Sequence, residues 1–256
     1  MPLSHVVSAS ELVGLDPVRL IYVPASGEQP ESMICVPIDR WIEETKRTLT
    51  GLDDIAFWQR EIAALGVGPD VVTVVCDDGR MTEAARVWFI LQYFGLPVAV
   101  LNGGRPAMTE IPFQVPRRAD SVILKPDSGK VGLQDRKRLM TALQNVQIFD
   151  ARSSAEFQGT DLKGNTRGGY FRGAAHLAHD ALLDRSFLCP AAELALLLDD
   201  ARIDGSKPIV SHCNGGGRAA LAALAAVVAG RENVHVYYLS FADWAADEAC
   251  PIAKGH

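Results

Sequence analysis

Several features are missing from this chain, and each absence excludes something. No stretch approaches the ~18 consecutive apolar residues that a membrane span requires. The longest apolar segment, the Ala/Leu run at 219–229, is short and reads as a buried core helix. The opening residues Met1-Pro2-Leu3-Ser4-His5 have neither a basic n-region nor an apolar h-region, so no signal peptide is expected. Positive charge is not in excess: 25 Lys and Arg against 31 Asp and Glu leave a net charge of −6, which argues against a nucleic-acid surface. The five cysteines, at 35, 76, 189, 213 and 250, are odd in number, widely spaced and form no CxxC pair. That excludes a disulfide framework and fits a reducing cytoplasm. His176 and His179 are followed by Cys189, but the run 173–177 looks like a turn entering a strand, not a helix presenting two ligands. They read as polar loop histidines, and neither a metal nor another cofactor is called for.

What is present is a normal globular balance, 48% hydrophobic and 22% charged, over 256 residues, enough for two domains. One stretch organises the chain: Pro208-Ile209-Val210-Ser211-His212-Cys213-Asn214-Gly215-Gly216-Gly217-Arg218-Ala219. It reads as a short buried strand, a tight loop opening with a cysteine, and a helix. The three glycines let the backbone take positive φ and turn several N–H groups toward one point. The helix from 218 to 228 aims its positive end at the same point. A sulfur at Cys213 is therefore favoured as the thiolate, the reactive form of a nucleophilic cysteine. A buried structural thiol beside a glycine turn is the plainer alternative.

Elsewhere, strands are expected at 19–23, 71–75, 98–101, 146–149 and 234–239, with a weaker one at 32–38 limited by Pro37. Helices are expected from 53 to 66, 83 to 94 and 190 to 201, and a short one capped by Asp39. The segment 105–119 carries Pro106, Pro112 and Pro116 with little periodicity, and a long polar loop runs over 159–169. Strand, loop and helix occur twice. Asp77 falls opposite Cys213 and Val98 opposite Val234, both at an offset of 136 residues. Ile21 set against Ile148 gives 127, so the second copy carries nine extra residues before its cysteine. This is a duplicated α/β domain: two small, mostly parallel sheets flanked by helices, spanning 1–110 and 120–256 with a linker at 111–119. The first copy has Asp77 at the cysteine's position, and Cys76 reads as a packed core thiol.

Several of these residues resemble the tandem-domain rhodanese family of sulfurtransferases. Cys213-Asn214-Gly215-Gly216-Gly217-Arg218 is similar to its C-x-x-G-x-[R/T] loop. Asp150-Ala151-Arg152 with Glu156-Phe157-Gln158-Gly159 is similar to its D-x-R…[E/R]-[FY]-x-G segment. Gly169-Tyr170-Phe171-Arg172-Gly173-Ala174 is similar to its G-H-I-P-G-A turn, without the His and Pro. Val100-Leu101-Asn102-Gly103-Gly104 resembles its V-L-[DN]-G-G. An acidic residue in place of the first-domain cysteine is the family's usual arrangement. Glu156 stands where some thiosulfate enzymes carry an arginine.

The resemblance implies transfer of a sulfane sulfur from thiosulfate, or from 3-mercaptopyruvate, to cyanide or a thiol through a Cys213 persulfide. The amides of Asn214, Gly215, Gly216, Gly217 and Arg218 would cradle the anionic sulfur. Arg218 is placed either to hold the donor's anionic head or to pair with an acidic neighbour. Arg172 adds positive potential, and Asp150 with Arg152 forms an internal ion pair supporting the strand end. Phe241 and Trp244 are expected to pack. His212, next on the strand, faces away from the nucleophile and is not assigned as a base. The partners are small molecules or a protein thiol accepting the sulfur. Two other classes stay open. A cysteine phosphatase would want five residues between Cys and Arg, and here there are four. A non-catalytic sulfur carrier or regulatory module would pass its persulfide only to a protein.

Overall fold

The computed structural model describes residues 3–15, 17–25, 30, 33–109 and 122–254. Its contacts divide into two units, Met1–Lys130 with Arg185–Leu188, and Val131–Asp184 with Cys189–His256. The linker expected at 111–119 lies outside the described residues.

The first unit runs β1 (Val6–Val7), α1 (Ala9–Val13), β2 (Val18–Tyr22), β3 (Ile34–Cys35), α2 (Ile38–Thr45), α3 (Ile55–Ala64), β4 (Val72–Cys76), α4 (Thr82–Tyr93) and β5 (Val98–Leu101). Its sheet has the order β1-β5-β4-β2-β3 with every pair parallel. Parallel neighbours need crossovers, and helices supply them. The central strand β4 is buried at four of its five residues, as a strand covered on both faces should be. Asp54 starts α3 by accepting the Phe57 N–H at 2.9 Å. Asp39 is not a cap: α2 begins one residue earlier, Pro37 occupies the N-cap without a side-chain bond, and Asp39 sits in the first turn. The strand expected over 32–38 shrinks to Ile34–Cys35, since Pro37 has no N–H to give a ladder and helix follows at once.

The second unit repeats the plan with β6 (Gly132–Gln134), α5 (Arg136–Ala142), β7 (Gln147–Asp150), α6 (Ser154–Gln158), β8 (Ala175–His176), α7 (Ala191–Asp200), β11 (Ile209–His212), α8 (Gly217–Val228), β12 (Val234–Tyr237) and α9 (Ser240–Ala246). The chain also holds two two-residue strands, β9 (Leu183–Asp184) in this unit and β10 (Phe187–Leu188) in the segment that belongs to the first. The sheet order is β6-β12-β11-β7-β8, again all parallel. Both units are thus the small parallel sheets flanked by helices that the sequence called for.

Register corrects one detail. Tyr22 lies beside Cys76 and Asp150 beside His212, so the early strands stand 128 residues apart, and the second copy carries eight extra residues rather than nine. Cross-sheet hydrogen bonds set that register, and counting apolar residues does not reveal it. The sequence reading also missed α1, α5, α6, α9, β1 and β6. Segments this short are marginal alone and form because the unit holds them.

All four residues of β11 are buried, which puts its C-terminal end, and the loop leaving it, at the centre of the sheet's edge. α8 packs on β11, β12 and α7, with nine of its twelve residues buried. Alanine supports that close approach and is the best helix former. Behind the loop, Phe171, Tyr237, Phe241 and Trp244 join Ile148 and Val210 in one apolar cluster. Among the described residues no helix is long and apolar enough to cross a membrane.

Candidate active site

The chain leaves β11 at His212, and Cys213 opens the loop to α8. Of the three glycines only Gly216 takes a positive φ, +96°, a conformation that a side chain would strain. It occupies the N-cap of α8, and its N–H points at Cys213 Sγ, 3.1 Å away. Gly215 is exposed, and a Cβ there would meet nothing within 4 Å. Gly217 is the first residue of α8 and is buried.

The loop is pinned from the start of α9. The Cys213 N–H donates to Ser240 Oγ (3.1 Å), the Cys213 carbonyl accepts from the Phe241 N–H (3.0 Å), and the Asn214 carbonyl accepts from the Ala242 N–H (3.3 Å). Ser240 Oγ also lies 3.8 Å from Cys213 Sγ and donates to the Tyr237 carbonyl at 2.9 Å. This buried serine, held at φ +62°, went unread in the sequence; nothing local distinguishes it from any serine before a short helix. Asn165 of the polar loop donates its side-chain N–H to Asn214 Oδ1 at 2.7 Å. The Cys213 residue is 1% exposed, so its sulfur sits below the surface with a backbone donor aimed at it.

Arg218, in the first turn of α8, makes a two-pronged ion pair with Glu156, 2.6 and 2.8 Å. Glu156 is 2% exposed and Arg218 21%. Glu156 also accepts from the Ser153 N–H (3.1 Å) and Oγ (2.9 Å), closing a capping box at α6. Burial alone would raise the Glu156 carboxyl; Arg218 and Ser153 outweigh it and hold it below its ordinary value. For Arg218, burial opposes the charge, but Glu156 and the nearby Cys213 sulfur favour it more strongly and raise its pKa. The cation therefore stands by the sulfur already paired. In the sequence Glu156 stands out only where some thiosulfate enzymes carry an arginine.

Behind the loop, Asp150 and Arg152 form the internal pair anticipated for them. Arg152 Nε lies 2.9 Å and Nη2 2.6 Å from the carboxylate, and Nη2 reaches the Gly169 carbonyl at 2.8 Å. The Arg152 guanidinium lies over the Phe241 ring, 3.9 Å from its centre. His212 turns to this side, with Nε2 3.3 Å from Asp150 and its ring against Phe171. Burial would raise Asp150, but His212 and then Arg152 hold it well below the carboxylate range. Trp244 packs in the core and donates its Nε1–H to the Pro251 carbonyl. Arg172 is exposed on a turn, and among the described residues no hydrogen bond or ion pair ties it to the cysteine loop. His176 donates its Nε2–H to the Arg152 carbonyl at 2.8 Å. Among the described residues no group of three or more His, Cys, Asp or Glu could hold a metal ion.

The first copy shows what happens to the same loop without a sulfur. Asp77 Oδ1 accepts the N–H groups of Gly79 (2.9 Å) and Met81 (3.0 Å), and Oδ2 accepts that of Ala84 (3.1 Å). A built-in carboxylate fills the amide nest. Burial raises the Asp77 carboxyl despite those donors. Cys76, one residue earlier, is fully buried, and burial pushes its thiol up.

The family model for the Rhodanese-like domain matches residues 134–247. Thiosulfate sulfurtransferase from Gallus gallus is 30% identical over 200 residues, covering 72% of this chain and 66% of that protein; its Cricetulus griseus counterpart is 28% identical with the same coverage. The 3-mercaptopyruvate sulfurtransferase of Escherichia coli K12 is 27% identical over 199 residues, 73% of this chain and 70% of that protein. The chain thus spans just under two thirds of the length of the thiosulfate relatives. Among solved structures, Tum1 from Saccharomyces cerevisiae aligns over 99% of both chains with a TM-score of 0.77 at 20% identity. The 3-mercaptopyruvate enzyme SseA of Escherichia coli aligns over 94% of this chain and 100% of its own, TM-score 0.69, at 21% identity. At such identities the structures speak for the fold, a tandem repeat of this domain.

Proposed function

This chain belongs to the rhodanese family, and from that premise we propose that it is a sulfurtransferase working through a persulfide on Cys213. The observation that carries the reading is the Gly216 N–H aimed at Cys213 Sγ from the N-terminus of α8. A backbone donor and a helix's positive end meet at one sulfur and can stabilise the negative charge that a persulfide there carries. The thiolate attacks the outer sulfur of thiosulfate. A new Sγ–S bond forms, the donor's S–S bond breaks, and sulfite leaves with the bonding pair. In the second half, cyanide or a thiol takes the terminal sulfur, and the Cys213 thiolate departs with its electrons. The amides of Asn214 to Arg218 cradle the charge in both halves.

Thiosulfate is the proposed donor, supported by the name of the relatives at 28–30% identity. Either donor's anionic head would meet Arg218 already paired with Glu156. Asp150 and Arg152 support the strand end, and Arg172 contributes long-range positive potential. The acceptor is a small thiol or one presented by a protein. Five unbridged cysteines support a reducing compartment, the cytoplasm.

The test is mass spectrometry after incubation with thiosulfate. A gain of about 32 Da, one sulfur, is expected in the wild type and absent in Cys213→Ala. No gain from any sulfane donor would overturn the reading. Turnover with small acceptors separates an enzyme from a carrier that discharges only to a protein, and kcat/KM on both donors settles their rank.

A further inference from the structure

Asn165 touches the catalytic loop, yet it has no task in the reading so far. It sits in the polar loop over 159–169, and the two residues after it fasten that loop to α9. Thr166 Oγ1 donates to the Ala245 carbonyl at 3.2 Å. The Arg167 guanidinium donates to the carbonyls of Trp244, Ala245 and Cys250, each at 3.0 Å, and to that of Asp247. The Asn165 N–H itself closes a turn on the Leu162 carbonyl at 2.8 Å. The start of the same helix holds the catalytic loop at Cys213 and Asn214. Both loops are thus anchored to α9, one near each end. Asn165 bridges them by donating its Nδ2–H to Asn214 Oδ1 at 2.7 Å.

A side-chain amide has one acceptor end and one donor end. The bond from Asn165 takes the acceptor end of Asn214. The donor end, Nδ2, has no partner among the described residues and is not enclosed. Asn214 is half-buried and lies between the buried nucleophile and the exposed Gly215. Two N–H bonds therefore stay open to solvent on the residue next to Cys213. The nearby cation is already engaged, since Arg218 is paired with Glu156. The Asn214 amide is the side chain of this loop left free to meet an incoming anion.

We propose that Asn165 is a positioning residue for the sulfur donor: it holds the Asn214 amide with its N–H end toward the oxygens of thiosulfate. This rests on the Cys213 persulfide reading above and names what meets the donor's anionic head in the first half-reaction. Asn165 makes and breaks no covalent bond. Without it the Asn214 amide is free to turn over and present oxygen, which repels the anion. A neutral acceptor such as 2-mercaptoethanol brings no anionic head in the second half and does not call on the pair.

The experiment follows single-turnover loading of the full-length protein over a range of thiosulfate concentrations, confirms the added sulfur by mass, and then discharges it with 2-mercaptoethanol. In Asn165→Ala the half-saturating thiosulfate concentration is expected to rise about tenfold, the low end for one hydrogen bond to a charged group. The saturated loading rate and the discharge rate should stay near wild type, the mark of lost ground-state binding. Asn165→Asp keeps the size but can only accept. It turns the Asn214 nitrogen inward and should weaken loading further, and it carries the test if Asn165→Ala does not fold. In an Asn214→Ala background, Asn165→Ala should change nothing more, because its effect passes through that amide. A merely structural role would slow loading and discharge together. An unchanged half-saturation, additive effects of the two alanines, or a discharge rate that falls in step overturns the proposal. Wild-type protein that gains no sulfur overturns the persulfide reading itself, and the role of Asn165 with it.

Discussion

Removing the Glu156 carboxylate should both loosen the second unit and release Arg218. The carboxylate accepts four hydrogen bonds, two from Arg218 and two from Ser153. Glu156→Ala leaves the Arg218 cation, 21% exposed, without its partner. Breaking a buried pair from one side costs about 3–5 kcal/mol, and partial solvation of Arg218 moves this toward the lower figure. Loss of the capping box adds about 1 kcal/mol. The expected destabilisation is about 4 kcal/mol, with Glu156→Gln about half that, since an amide keeps the shape and one acceptor oxygen. Hydrogen exchange at the slowest amides of β11 and α8 reads the opening free energy of this unit directly. A double-mutant cycle with Arg218→Ala should return a coupling of about 2 kcal/mol. A coupling below about 0.5 kcal/mol, or a Glu156→Ala protein as stable as wild type, would refute the reasoning, because the pair would then be no stronger than a surface ion pair.

Asp150→Asn leaves Arg152, 2% exposed, as a buried cation without a counter-charge, and should cost about 3–5 kcal/mol in a denaturation midpoint. The folded-state pKa values of Asp150 and Glu156 are depressed, so their contribution is present above the unfolded carboxylate range near pH 4 and is lost as pH falls below it. An acid titration of the unfolding free energy that stays flat below pH 4 would contradict this. Asp77 behaves oppositely. Its pKa is raised, so its contribution is largest where the folded carboxyl is protonated and declines as pH rises through its titration. Asp77→Ala orphans three backbone donors and should cost about 3 kcal/mol or more at neutral pH, with Asp77→Asn recovering part of it; equal melting temperatures for all three proteins would sink this account.

The sequence alone determined the features whose cause is local. An apolar run, a cysteine, glycines able to take positive φ and an alanine-rich helix follow one another without a break around Cys213, and the same order recurs 136 residues earlier at Asp77. A repeat of that kind announces a duplicated parallel sheet, because each strand–helix unit can bury its apolar face only against its own copy of the plan. What the tertiary structure decided lies between residues far apart in the chain. Glu156 meets Arg218 across 62 residues, Ser240 reaches Cys213 across 27, and the Gly216 N–H meets the sulfur in a loop that the start of α9 pins. Strand register, off by one when counted from apolar residues, was likewise fixed by bonds between strands. A side chain's charge and its partner's are both visible in a sequence, but the burial that makes their pairing matter exists only once the chain has folded.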